Sequence, residues 1–280
     1  MAYFQLCNIF AKKISRMRIV GLGNALTDVL ARLHSDECFD EMGLLKGGMQ
    51  LIDEEKLLRI MSVFEGLETT LASGGSAANA VSGVARMGIE SGFIGKIGRD
   101  AYGRFFREDM ERNGVQTLLI EGEQASGCAM TMITPDGERT FGTFLGAAAT
   151  LCAEELSAEM FEGYDILHIE GYLVQDTSLI LRAVQLAKEA GLSVSFDMAS
   201  YNVVKDNYAI IRDLVENYVD LYASGFLYGL SQNCSLGVCG AIGSLLAGRV
   251  IKVIGTKMSD EIWTEIKLKV SSMVAEDIRH

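Results

Sequence analysis

Two polar side chains near the start of the chain have the types and the spacing to hold a sugar. Asn24 closes the apolar run RIVGLGN (18–24), and Asp28 follows four residues later. An aspartate carboxylate accepts hydrogen bonds from two neighbouring hydroxyls, and an asparagine amide both donates and accepts. A polyol such as ribose presents that pattern. Asn and Asp also cap helices and bend chains, and their spacing alone favours this structural role.

The stretch SGGSAANA (73–80) places bare backbone in front of a run of small residues. Gly74 and Gly75 lead into this run, and Asn79 is its polar member. Glycine lets the backbone approach a ligand closely and tolerates positive φ, and a helix beginning here has free N–H groups. A ligand site and tight helix–sheet packing are equally compatible with the stretch.

Asp220 stands between two different patterns. IIRDLVENYV (210–219) predicts an amphipathic helix that runs into a strand-like end, whereas LYASGFLYGL (221–230) predicts a helix of small residues. A carboxylate at such a junction could be a helix cap, a catalytic base, or the residue left at the edge of a deletion.

Several common catalytic motifs are incomplete or absent from the sequence. GLGNAL (21–26) begins like the dinucleotide fingerprint G-x-G-x-x-G, but Leu26 replaces the third glycine, which that motif needs for close helix–strand packing. No G-x-x-x-x-G-K-[ST] sequence is present, which excludes a P-loop NTPase. His168 lies in an apolar run without a G-x-S-x-G elbow nearby, so we predict a core histidine rather than a catalytic base.

Composition narrows the classes of partner and location. The 280 residues carry a net charge of −12 with scattered Lys and Arg, which disfavours nucleic acid and membrane surfaces. No stretch reaches the roughly 18 uncharged apolar residues that a membrane span needs. None of the six cysteines forms a C-x-x-C pair, which predicts reduced thiols in a cytoplasmic protein and no metal site.

The first 16 residues differ from the rest of the chain. Their apolar part precedes their basic residues, unlike a secretory signal. We therefore expect residues 1–16 to be an N-terminal extension and residues 17–280 to form the folded domain.

The elements that must position these residues alternate between strands and helices. Apolar runs predict strands at 18–24, 93–98, 165–171 and 193–197, and helices are predicted at 76–87, 101–113, 177–190, 206–217, 236–250 and 259–275. This alternation predicts an α/β fold with a mostly parallel sheet covered by helices on both faces. Ligands of such folds bind beyond the carboxyl ends of the strands, which adds Gly98, Glu170 and Asp197 as candidates by position.

Two segments do not fit the alternation. A Pro-Asp-Gly turn at 135–137 predicts a hairpin over 128–145, and KGGMQLID (46–53) is a further irregular piece. We predict that they form a small accessory β-sheet, with pieces at about 29–53 and 127–145.

Taken together, these motifs resemble the ribokinase-like (PfkB) family of carbohydrate and nucleoside kinases. The residues that carry the resemblance are GLGNALTDVLA (21–31), KGGMQLID, and the G-G-x-x-x-N helix followed by GKIGRDAYG (95–103). The opening G-N-x-L-x-D is most similar to the adenosine-kinase-like branch. The resemblance implies a ribokinase-like fold in which the accessory sheet is a lid, and lids that pair across a homodimer.

The resemblance also implies roles for individual residues. Asn24 and Asp28 would hold sugar hydroxyls, and Gly48 would lie on the lid strand over the sugar. Gly74, Gly75 and Asn79 would line the sugar pocket. Glu170 would lie at its floor or near the metal and phosphates. The activity implied is transfer of the γ-phosphate of ATP, with Mg²⁺, to a hydroxymethyl oxygen.

The carboxyl-terminal half resembles the family only in part. DLYASGFL (220–227) matches the end of the family's D-T-T-G-A-G-D signature, which aligns Asp220 with the general base at a helix N-cap. ENYV (216–219) stands where the glycines of the anion hole belong, and the family's N-x-x-E segment is missing. We therefore predict an internal deletion before Asp220, an incomplete nucleotide-binding part, and either an ATP-dependent sugar or nucleoside kinase or a catalytically inactive binding remnant.

Overall fold

The structure is a computed structural model. It describes residues 17–197, 199, 201–217, 219–221, 228, 231–232, 234–235, 238–239, 242 and 259–277. The predicted N-terminal extension and most of the helix predicted at 236–250 lie outside the described residues.

Eleven strands are present in the described part of the chain. In chain order they are β1 Arg18–Leu22, β2 Leu26–Arg32, β3 Met49–Leu51, β4 Thr69–Gly74, β5 Glu90–Gly98, β6 Val115–Gly122, β7 Gly127–Ile133, β8 Arg139–Phe144, β9 Ile166–Ile169, β10 Ser193–Phe196 and β11 Val219–Leu221.

The main sheet has six strands in the order β11-β10-β9-β1-β5-β6, and every neighbouring pair is parallel. The predicted parallel sheet is therefore confirmed. In its centre β1 lies between β9 and β5, with Leu22 opposite both Ile169 and Ile94. Because these strands run in the same direction, residues 23–25, 95–98 and 170 emerge at one edge of the sheet.

The second sheet has five strands in the order β3-β8-β7-β2-β4. It is mixed, because β2 pairs antiparallel with β4 but parallel with β7, and the predicted hairpin joins β7 to β8. The accessory sheet is larger than predicted, since the pattern of residues 69–74 did not indicate β4. We call this second sheet the lid.

Eight α-helices are described. They are α1 Cys38–Met42, α2 Glu54–Phe64, α3 Ser76–Arg86, α4 Ala101–Arg112, α5 Thr177–Glu189, α6 Tyr201–Asp206, α7 Tyr208–Asn217 and α8 Asp260–Asp277. Short 3₁₀ turns occupy Gly146–Thr150, Ala153–Glu155, Ala158–Phe161 and Gly171–Gln175. None of the helices in the described ranges is long and apolar enough to cross a membrane.

Helices cover both faces of the main sheet. On one face α5 buries Ile180 and Ala183 against strand residues such as Leu167. On the other face α3 and α4 bury Val81 and Phe106, and Phe106 packs against Phe93 with ring centroids 5.5 Å apart. Burial of strands on both faces explains why they appear in the sequence as short continuous apolar runs.

Capping residues explain where α3 and α4 begin or end. Asp100 accepts a hydrogen bond from Gly103 N and caps α4. Gly88 and Gly114 follow α3 and α4 with φ of +94° and +82°, the left-handed conformation that ends helices.

Asp220 lies within β11, beside β10 at one edge of the main sheet. The predicted strand-like end of residues 210–219 is therefore present. The helix predicted to start at residue 221 does not start there, since Leu221 still belongs to the strand. The rest of that predicted helix lies largely outside the described residues.

Candidate active site

A cavity of about 660 Å³ lies where the main sheet meets the lid. It opens beyond the carboxyl ends of β1 and β9 and is partly covered by β3 and β8. The residues that line it are Asn24, Leu26, Met49, Leu51, Gly75, Ser76, Thr143, Leu145, Ala148, Ala149, Leu151, Glu170, Tyr172, Leu173, Gln175, Asp176, Leu179, Val203, Asp206 and Asn207.

Asn24 and Glu170 form the polar floor of this cavity. The Asn24 side-chain amide donates a hydrogen bond of 2.7 Å to Glu170 Oε1, and Ala77 N donates one of 3.2 Å to Glu170 Oε2. Asn24 is 5% exposed and Glu170 2% exposed, so both are shielded from bulk water while still facing the cavity. The carboxylate thus ties the loop after β1 to the first turn of α3.

Burial dominates the protonation of this carboxyl. It raises the pKa of Glu170 to about 7, and nearby Asp197 also raises it, whereas the hydrogen bonds from Asn24 and Ala77 lower it. Near neutral pH the group therefore interconverts between a neutral form that can donate a hydrogen bond and a charged form that only accepts.

Gly75 brings the backbone against this floor. Its φ is +97°, and a Cβ atom there would collide with the carbonyl oxygen of Asn24. Gly75 also lines the cavity, and its carbonyl accepts the first helical hydrogen bond of α3, from Asn79 N at 2.9 Å. The geometry therefore requires glycine at position 75 for packing against Asn24. The predicted approach of its backbone to a ligand stays a prediction.

The Asp28 side chain of β2 lies beside Gly74 of the neighbouring lid strand β4. A Cβ atom on Gly74 would lie 2.6 Å from Asp28 Cγ, so the carboxylate occupies the space that a side chain would take. β2 pairs with β4 here, with Asp28 opposite Ala72. Asp28 is half-buried next to Gly74, one residue from the cavity-lining Gly75.

The structure does not place all the predicted sugar-binding residues on the cavity. Asn79 is half-buried one turn inside α3, and it is not among the residues that line the cavity. Gly48 is exposed just before β3, and its carbonyl accepts a hydrogen bond from Phe141 N. Its neighbour Met49 contributes the lid contact instead.

Asp197 is a second carboxylate beside the start of α3. It accepts a hydrogen bond from the hydroxyl of Ser76, the first residue of α3 and a lining residue, and another of 2.7 Å from Ala199 N. Ala199 has φ of +56°, a conformation that non-glycine residues adopt only when their surroundings impose it. Its position after β10 made Asp197 a candidate ligand-binding residue in the sequence, but nothing in the sequence pattern indicated its contact with Ser76.

The outer part of the cavity was not predicted. Tyr172, Gln175 and Asn207 line it from loops and helix ends, and Leu145 to Leu151 form one wall. These positions carry no periodic pattern. Only their nearness to the ends of β8 and β9 could have indicated them.

The motif GKIGRDAYG connects the main sheet to the lid and does not line the cavity. Asp100 accepts hydrogen bonds from Ser126 N and Ser126 Oγ, both at 2.7 Å, in addition to the one from Gly103 N. Ser126 precedes β7 of the lid, whereas Gly98 ends β5 of the main sheet. A Cβ atom on Gly103 would lie 2.6 Å from Ser126 Oγ, so the chain needs glycine where these segments meet.

His168 is a core histidine, as predicted. It is 1% exposed in β9, and its Nδ1 lies 2.9 Å from Ser195 Oγ. Burial lowers its pKa to about 4, which keeps the ring neutral. Cys38, Cys128, Cys152, Cys234 and Cys239 are free thiols.

Comparison with known proteins places this architecture in a family. Residues 42–218 match the profile of the pfkB family carbohydrate kinases. A fructokinase of Solanum tuberosum is 31% identical over 157 residues, which cover 54% of this chain and 49% of that protein. The chain spans about half the length of the curated relatives it matches.

Two solved structures share the fold. A probable sugar kinase of Rhizobium etli superposes with a TM-score of 0.79 at 24% identity, covering 92% of this chain and 99% of that one. An adenosine kinase of Sinorhizobium meliloti gives a TM-score of 0.76 at 24% identity, covering 91% of this chain and 99% of that one. The fold is therefore that of ribokinase-like kinases, and the chain belongs to the pfkB family of carbohydrate kinases.

Proposed function

We propose that this chain binds a neutral sugar or nucleoside in the cavity and phosphorylates its hydroxymethyl group with ATP and Mg²⁺. The observation that carries the proposal is the polar floor: Asn24 and Glu170 paired at 2.7 Å beside the bare backbone of Gly75. An amide, a carboxyl and an accessible backbone match the donors and acceptors of vicinal hydroxyls.

The charges around the cavity favour a neutral ligand. Among the described residues that line it, the charged ones are Glu170, Asp176 and Asp206, and none is Lys or Arg. A phosphate or carboxylate on the substrate would be repelled by these groups and would find no Lys or Arg among these lining residues to pair with. This argues against a sugar phosphate or a sugar acid as the acceptor.

We assign the sugar site to Asn24, Asp28, Gly74, Gly75, Asn79 and Glu170, with Gly48 beside the lid contact. In this assignment Asn24 and Glu170 contact hydroxyls directly. Asp28 and Asn79 lie next to the floor and would need the substrate to extend towards β4. The apolar lining from Leu26 and Leu151 would cover a sugar face or a base.

Asp220 is the proposed general base. In phosphoryl transfer, a carboxylate that accepts the proton of the attacking hydroxyl assists a reaction driven mainly by positioning and charge neutralisation. Mg²⁺ bound through ATP phosphates requires one or two protein carboxylates rather than a complete cage. No group of three or more His, Cys, Asp or Glu within the described residues could hold a metal ion by itself.

Ligand binding without turnover is the second candidate. It is favoured by the position of Asp220 inside β11 rather than at a helix start, where N–H groups would stabilise a phosphate. ENYV (216–219) also lacks the glycines that let N–H groups converge. An internal deletion before Asp220 would account for both features.

One assay separates the two candidates. We expect adenosine or ribose to stimulate ATP consumption by the purified chain, and Asp220→Asn to lower that rate at least 100-fold. If adenosine or ribose binds but ATP consumption does not exceed that of Asp220→Asn, the chain is a binding protein and not a kinase.

We also propose a homodimer that pairs through the lids. The exposed apolar side chain of Leu71, on the edge strand β4 of the lid and 37% exposed, offers surface for such pairing. Light scattering of the purified chain tests this: a mass twice that of the 30.4 kDa monomer is expected, and a monomer would overturn it.

A further inference from the structure

One wall of the cavity is built from irregular backbone. Residues 145–155 contain two short 3₁₀ turns, Gly146–Thr150 and Ala153–Glu155. Four side chains of this wall segment line the cavity: Leu145, Ala148, Ala149 and Leu151. Isolated 3₁₀ turns have poorer hydrogen-bond geometry than α-helices. The shape of this wall therefore depends on what ties the segment to the rest of the fold.

The start of the wall segment is tied by backbone. Ala147 N donates a hydrogen bond of 2.7 Å to Ala125 O, and Thr150 Oγ1 donates one of 2.8 Å back to Ala147 O. These bonds hold the first turn beside the start of β7. They leave residues 150–155 without a backbone tie to the main sheet among the hydrogen bonds of the described residues.

Lys96 supplies that tie. It lies on β5, is only 9% exposed, and directs its ammonium group towards the wall segment. Its Nζ donates hydrogen bonds to Thr150 O at 3.1 Å and to Glu155 Oε1 at 2.6 Å. The other oxygen of Glu155 accepts a hydrogen bond of 3.1 Å from Cys152 N. One ammonium group therefore fixes both ends of residues 150–155.

Leu151 lies between these two anchors. It is 3% exposed, packs in the main core, and lines the cavity. If the anchors shift, Leu151 and the preceding alanines shift with them. The Lys96–Glu155 pair is only partly buried, with the Glu155 side chain 27% exposed, so its net contribution to stability is small, because desolvation and solvent screening offset the attraction. The main effect of the pair is on geometry, because the Lys96 ammonium group fixes the positions of Thr150 O and Glu155 Oε1.

We propose that Lys96 is a positioning residue of the substrate cavity, which holds the wall of residues 145–151 and so sets the affinity for the sugar or nucleoside. This rests on the proposed function, because it assumes that the cavity is where the substrate binds. Lys96 acts through the wall segment and contacts no substrate itself.

The test compares Lys96→Met with Lys96→Arg and a matched control. Methionine keeps the unbranched apolar stem of lysine without the terminal ammonium group, whereas arginine restores a charged donor. Lys269→Met is the control, because Lys269 also pairs with a carboxylate, Glu265 at 2.9 Å, but on α8 and away from the cavity. Adenosine and ribose binding is measured by isothermal titration, and amide hydrogen exchange is measured along the chain.

We expect Lys96→Met to weaken adenosine or ribose binding at least 10-fold. Amide exchange should rise at least 10-fold at residues 147–155 and stay unchanged in α5. Lys96→Arg should recover binding to within about threefold of wild type, and Lys269→Met should match wild type. If Lys96→Met folds poorly, Glu155→Gln removes the same ion pair while keeping the lysine, and the same local changes are expected.

Two results would overturn the role of Lys96. One is wild-type binding and exchange in Lys96→Met. The other is exchange that rises equally in the wall segment and α5, which would show general destabilisation. If the wild-type chain binds neither adenosine nor ribose, the proposed function fails, while the exchange pattern still decides whether Lys96 holds the wall.

Discussion

Asn24 and Glu170 are 146 residues apart in the chain, yet the Asn24 amide donates a hydrogen bond of 2.7 Å to the Glu170 carboxyl. Each follows a central strand of the main sheet, and the pairing of Leu22 with Ile169 brings them together. Their contact lies in the floor of the cavity, so substrate binding and the stability of this floor depend on the same two side chains.

The floor pair should be energetically coupled. Asn24→Ala leaves a buried carboxyl with one donor fewer, which should destabilise the fold by about 1–3 kcal/mol. Urea unfolding of Asn24→Ala, Glu170→Ala and the double variant forms a cycle that should give a coupling energy of about 1 kcal/mol or more, because each single variant removes the hydrogen bond. Strict additivity of the two single effects would show that the hydrogen bond contributes nothing.

Gly75 should tolerate no side chain. Gly75→Ala combines a φ of +97° with a collision against Asn24 O, so we expect a loss of about 2–4 kcal/mol in the free energy of unfolding. Gly88→Ala is the matched control, because Gly88 has a φ of +94° but open space around it. It should cost only about 1 kcal/mol. Equal losses in the two variants would contradict the close approach at Gly75.

Asp100 should stabilise the joint between the sheets more than an ordinary helix cap does. It accepts three hydrogen bonds from Gly103 and Ser126, whereas Asp53 caps α2 with one bond, to Lys56 N at 2.9 Å. Asp53→Ala should therefore cost about 1 kcal/mol and Asp100→Ala about 2–4 kcal/mol in urea unfolding. A cost for Asp100→Ala no greater than that for Asp53→Ala would make Asp100 a simple cap.

Two buried groups should give opposing pH dependences of stability. Burial raises the pKa of Glu170 from its usual 4.5 to about 7, so between these values the folded chain binds more protons than the unfolded chain. Stability then falls as pH rises, by roughly 3 kcal/mol in total. Burial lowers the pKa of His168 from 6.5 to about 4, so the unfolded chain binds more protons there and stability rises with pH.

Single variants should separate these two effects. In Glu170→Gln the stability should rise from about pH 4.5 to 6.5 and then stay level, because of these two buried groups only His168 still titrates. In His168→Asn it should fall from about pH 4.5 to 7. Urea unfolding at half-unit steps of pH measures both slopes. Parallel curves for wild type and both variants would contradict the assigned protonation.

The sequence predicted the main sheet better than the cavity, for a physical reason. β1, β9 and β10 are buried on both faces and appear as short apolar runs, which a pattern can show. β4 has the sequence TTLASG, which is neither alternating nor continuously apolar, and it was missed.

The need for glycine at position 75 was predictable, because the backbone conformation there favours that residue type. The contact between Asn24 and Glu170 depends on strand register, which the apolar pattern of either strand does not specify by itself. The wall of residues 145–151 could not be predicted, because it is built around a short 3₁₀ turn of small residues, Gly146–Thr150, that follows no repeat. Asp197 was indicated by its position after β10, but its contact with Ser76 required the fold.

Isothermal titration tests the central claim most directly, namely that this cavity takes a neutral polyol. Adenosine, ribose, fructose and ribose 5-phosphate are titrated into the wild-type chain and into Asn24→Ala. The account predicts that at least one neutral compound binds, that ribose 5-phosphate binds at least 10-fold more weakly than ribose, and that Asn24→Ala weakens binding at least 10-fold. Binding of ribose 5-phosphate alone, or equal binding by Asn24→Ala, would contradict it.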